Sequence, residues 1–106
     1  MSQSNGGVPP FRVVYSGLHR EQTRQLLARA AAKGRSAEIA NCVQNIHNRL
    51  QWHPLDFGEP LSDLMALGIQ ARIATIAPLV VRFGVDEVRR IVYVLVPFGL
   101  LPKSGL

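Results

Sequence analysis

Cysteine, lysine and acidic side chains are all scarce in this chain: of 106 residues one is Cys, two are Lys and seven are Asp or Glu. A single cysteine excludes an internal disulfide framework and suits a reducing compartment. Cys42 falls in an apolar helical pattern, where it reads as a small buried hydrophobe rather than a nucleophile. Long hydrophobic runs are missing too. The most apolar stretch, residues 91–101, is too short to span a bilayer and contains Pro97. Residues 1–10 have no basic region followed by an apolar core, so a flexible leader is expected there rather than a secretory signal. The expectation is a soluble cytoplasmic protein with no membrane partner.

Familiar active-site signatures are absent as well. His19, His47 and His53 show no metal-ligand spacing and have no cysteine partners, which argues against a zinc site. They read as a helix-start residue, a polar-face residue and a connector residue. No glycine-rich phosphate loop or credible Ser-His-Asp order is present. No cofactor or metal is therefore expected.

What the chain does have is arginine, ten against two lysines, within a formal charge of +5. A planar guanidinium suits bidentate recognition of phosphate or carboxylate, whereas lysine alone would indicate little beyond solubility. The length fits one domain with a single core.

Residues 11–15 read as a short strand, broken by Ser16-Gly17. Residues 18–33 are rich in helix formers and lack internal Pro or Gly, and Gly34 supplies the stop. Ser36 restarts a helix as an N-cap, with Glu38 in the first turn. Ile39, Val43, Ile46 and Leu50 then form one apolar stripe, which predicts an αα-hairpin with the helix before it. Residues 52–60 read as a connector, and 61–67 as a short helical turn capped by Ser62. Three meander strands follow near 70–76, 79–84 and 88–96, with turns at Pro78 and at Asp86-Glu87.

Alternation sorts the strands into faces. Phe11, Val13 and Tyr15 oppose Arg12; Leu79, Val81 and Phe83 oppose Val80 and Arg82; Ile73 opposes Arg72 and Gln70. With the larger apolar sets packed under the hairpin, Arg12, Arg72 and Arg82 are expected together on the open face, as a candidate phosphate-binding surface. The last strand is apolar on both faces and is expected to be central, or covered by something from outside. Arg89-Arg90 reads as part of a charge-paired turn, and Arg20, Glu21, Arg24 and Arg29 as a solvated helix stripe.

Phe11-Arg-Val-Val-Tyr-Ser16, the helix end Ala30-Ala-Ala-Lys-Gly34, Ile46-His-Asn-Arg-Leu-Gln-Trp-His-Pro-Leu-Asp-Phe-Gly-Glu-Pro-Leu61, Pro78-Leu-Val-Val-Arg-Phe-Gly-Val-Asp-Glu87 and Ile91-Val-Tyr-Val-Leu-Val96 follow a familiar order. In that order the chain resembles the RelE/ParE toxin superfamily of bacterial toxin–antitoxin modules. The resemblance implies an α+β fold, β-α-α-β-β-β, with the helical hairpin on one face of a small, mostly antiparallel sheet. It covers residues 11–98, leaving a short tail at 99–106. It implies a cognate antitoxin as partner, with ribosome and messenger RNA, or DNA gyrase, as target. In the RNase branch it implies metal-independent, ribosome-dependent cleavage of messenger RNA, with Arg72 and Arg82 catalytic and Arg12, Gln70 and Lys103 on the substrate. The branch's own arginine position aligns closer to Leu79, and Lys103 is the tail's one cation, with no tyrosine. The alternative is a binding-only protein, a gyrase inhibitor or a non-toxic interaction module. Phe98, Leu100 and Leu101 would then cover a sheet edge, meet the antitoxin or form a homodimer.

Overall fold

A helix-forming stretch without proline, followed by a β-branched one, builds two layers. The computed structural model describes residues 8–64 and 68–106, with residues 62–64 described by backbone alone. Strand β1 (Arg12–Tyr15) leads into α1 (Gly17–Ala32) and α2 (Ser36–Trp52), and a single 3₁₀ turn (Pro54–Asp56) follows. The remaining elements are β2 (Glu59–Leu64), β3 (Ile69–Ile76), β4 (Leu79–Asp86), β5 (Ile91–Val94) and β6 (Gly99–Leu100). The sheet runs β1-β5-β4-β3-β2, with β6 also on β4. Among the described residues only the β1–β5 pair is parallel; the others are antiparallel.

The helices cover one sheet face. Ile39, Ile46 and Leu50 of α2 are completely buried, and they join Leu79, Val81, Phe83, Val85, Val92 and Val94 in one core. This is the expected stripe, with Cys42 buried beside it as expected and Val43 only flanking the core. The β5 strand lies between β1 and β4. That central place accounts for its apolar residues at successive positions.

Several local expectations change. Backbone pairing to β3 makes residues 59–64 a strand, with a register break between Pro60 and Ser62, in place of the helical turn expected at 61–67. An edge position tolerates the missing Pro60 N–H. The rest of that expected turn, 65–67, lies outside the described residues, as do residues 1–7 of the expected leader. The tail is not loose chain: Gly99 and Leu100 pair with Val80 and Leu79, and Leu100 and Leu106 pack against the core. Register on β4 moves by two residues between Tyr93 and Gly99, so residues 95–98 bulge from the sheet. Ser36 is the first helical residue rather than the cap, a place taken by Arg35, which pairs with Glu38 at 2.8 Å. Ser16 does cap a helix: its Oγ accepts the His19 N–H at 3.0 Å. Among the described residues no helix is long and apolar enough to cross a membrane.

Candidate binding face of the sheet

Residues paired across neighbouring strands point to the same face, so register decides where each nominated arginine goes. Arg82 pairs with Ile73, and Arg12 with Ile91; both are exposed on the face away from the helices, as expected. Arg72 is the correction. It pairs with Phe83 and therefore points toward the helices, where only 6% of it is exposed. Its Nε donates to the Phe57 carbonyl at 3.1 Å, Nη2 to the Gly58 carbonyl at 3.0 Å and Nη1 to Gln70 Oε1 at 2.8 Å.

Arg72 and Gln70 thus hold the connector down on the covered face. The expectation failed because it took Ile73 as the inward residue. Three well-placed acceptors let a guanidinium take the inward place instead. Gly58 makes the close crossing there: its φ is +70°, and an added Cβ would fall 2.0 Å from the Ile73 carbonyl oxygen. Lys103 lies in the tail past Leu101, whose N–H bonds to the Pro78 carbonyl at the start of β4. Arg12 lies by the far end of β4, where Asp86 meets Ile91. The five nominated residues do not converge on one phosphate.

What the open face carries is apolar. A hollow of about 420 Å³ is lined by Leu61, Ile69, Ala71, Gly84, Tyr93, Leu95 and Val96, with Arg82 at its side; Arg72 and Phe83, paired with each other and pointing to the other face, also border it. Leu61, Leu95 and Val96 are each about half exposed, and the bulge after β5 puts the last two there. Gly84 makes the floor low, since a Cβ at that position would meet Ile69 Cγ2 at 2.8 Å. A second hollow, between Val80 and Leu100, also borders Arg82. The Arg82 guanidinium has no hydrogen-bond or ion-pair partner among the described residues. By contrast, Arg89 is tied to Asp86 at 3.1 Å. The Arg89 backbone N–H, followed by its guanidinium, holds that carboxyl below the usual carboxylate range.

The helix side holds a cluster that sequence reasoning missed. Tyr15 points inward from β1, and its phenol oxygen lies 2.7 Å from His47 Nδ1 on α2. His19, expected at a solvated helix start, is only 3% exposed. Its ring sits between Tyr15, at 4.9 Å, and Phe98, at 4.5 Å. His19 Nδ1 lies 3.4 Å from Thr23 Oγ1, while its buried Nε2 has no partner among the described residues. Burial pushes the Tyr15 phenol up to about 12 and lowers His19 from its ordinary value. The inward parity of Tyr15 was readable from strand alternation. Nothing local connects it to His47, 32 positions away.

Among the described residues no group of His, Cys, Asp and Glu could hold a metal ion. No family model, no curated protein and no solved structure matches this chain.

Proposed function

We propose that this chain is a toxin-like binding protein of a toxin–antitoxin pair, and that it holds its partner on the open face of the sheet. The observation that carries this reading is the apolar hollow beside Arg82, which has no partner among the described residues. Half-exposed Leu61, Leu95 and Val96 form an exposed apolar patch beside Tyr93 and Arg82, residue types that dominate protein-docking hot spots. The RelE/ParE resemblance of the sequence, and a helical hairpin laid on one face of a mixed sheet, support placing it in such a module.

Charge selects the occupant. A second copy docked two-fold about this patch would bring arginine toward arginine between chains of formal charge +5 each. A partner segment with apolar side chains and a carboxylate meets the same face without that penalty, which favours an acidic antitoxin over a homodimer. The binding reading is also preferred to the RNase reading. Arg72 faces the helices, so a phosphate on the open face would meet Arg82 without it.

Co-expression with the product of the neighbouring reading frame tests this. A stoichiometric complex should co-purify, and Arg82→Glu or Leu95→Asp should weaken it at least about tenfold. A complex indifferent to both substitutions would move the partner off this face. Cleavage of ribosome-bound messenger RNA that disappears with Arg82→Ala would restore the nuclease reading instead.

A further inference from the structure

On the opposite side of the molecule, α1 and α2 leave between them a groove of about 480 Å³, bordered by Tyr15, Arg20, Leu27, Val43, Gln44 and His47. Its size lies in the range of small-ligand sites. Its border carries two guanidinium groups, Arg20 and Arg24, together with the polar side chains of Thr23, Gln44 and His47. The Tyr15 phenol finds one partner among the described residues, His47 Nδ1. Donation of the phenol hydrogen to Nδ1 is the arrangement that leaves no hydrogen on a half-buried oxygen unpaired. The proton on a neutral His47 then resides on Nε2, making that nitrogen a donor. A phenol pushed up to about 12 keeps this hydrogen at all ordinary pH.

Arg20 and Arg24 stand at the rim. Arg24 is neutralised by Glu21 at 2.6 Å, whereas Arg20 has no ion-pair partner among the described residues. Among the described residues no carboxylate borders the groove. The walls, by contrast, are apolar: Leu27, Val43 and the Tyr15 ring. Donors at one edge and hydrocarbon across the floor match an anion with an apolar body. His19 also borders the groove, and its buried Nε2 has no partner among the described residues.

We infer that the α1–α2 groove is a binding site for a small carboxylate with an apolar or aromatic body, its carboxylate held by Arg20 and His47 Nε2 and its body resting on Leu27 and Val43. This site is independent of the sheet-face interface, because the two lie on opposite sides of the sheet.

The test is a titration of the full ¹⁵N-labelled chain with 3-phenylpropionate and, in parallel, its neutral amide, followed by amide chemical shifts. The carboxylate should saturate signals of Leu27, Val43 and Gln44 with a Kd of about 1 mM or tighter. Arg20→Gln, at an exposed position that leaves the core untouched, should weaken it by about tenfold. Gln44→Trp, also at an exposed position, should fill the groove and abolish binding with the rest of the spectrum preserved. Equal binding of acid and amide overturns the carboxylate assignment. Shifts that spread over other surfaces, or no saturation by either probe, overturn the site.

Discussion

Arg72 and Arg82 lie on neighbouring strands, yet their substitutions should have opposite consequences. Arg72→Ala leaves the Phe57 and Gly58 carbonyls without their donors inside the connector crossing. It should lower the unfolding free energy by about 2–4 kcal/mol. Arg82→Ala removes an exposed side chain that has no partner among the described residues, and should stay within about 0.5 kcal/mol. Urea denaturation of both variants checks the contrast, and a harmless Arg72→Ala would show that the crossing is held otherwise. His19 makes a pH prediction. Burial lowers its folded-state value below the 6.5 of the unfolded chain. As pH falls below 6.5 the unfolded chain takes up the proton first, so stability is full above 6.5 and is lost from there down to the lowered folded value. Asp86 and Glu38 are also lowered, from 3.8 and 4.5, so their share is lost only below those values. The wild-type urea midpoint should therefore fall between pH 7.5 and 5.5, and His19→Phe should flatten that fall. An unchanged slope in the variant would assign the loss to other groups.

At the scale of elements, the boundaries that sequence marks best are those with a local physical cause. Gly34 adopts φ +70° after α1, as a helix stop requires. Ser16 carries more than a break. Its Oγ accepts the His19 N–H and donates to the Leu95 carbonyl at 2.6 Å, so one side chain caps α1 and holds the start of the bulge after β5. Ser16→Ala should cost about 1–2 kcal/mol, beyond an ordinary cap, and should raise amide exchange at both α1's first turn and residues 95–98. Exchange raised at the helix alone would separate the two roles. The strands were legible where Val and Ile alternate with polar residues, in β1, β3 and β4. They were illegible where pairing is imposed by a neighbour. Residues 59–64 contain a proline and a serine and have no strand pattern, and they become β2 only because β3 offers a free edge. Gly99-Leu100 becomes β6 in the same way, on the half of β4 that β5 leaves open.

For the molecule as a whole, the division of labour follows from the range of the forces involved. Periodicity and turn chemistry act over a few residues. The sequence by itself therefore determined the helical hairpin, the inward stripe of α2, the meander and the two-layer α+β class. It also placed Arg12 and Arg82 on the open face, because strand alternation needs no partner to be read. Tertiary structure alone decided the rest. The inward turn of Arg72 depends on carbonyls from the connector, 14 and 15 positions earlier. The Tyr15–His47 pair and the groove above it need β1 beneath α2, and the apolar hollow needs the bulge that forms when β5 and β6 share β4. Hydrogen-bond partners and packed faces supplied by distant segments override local preference because an unpaired buried polar group costs more than a change of parity in one strand.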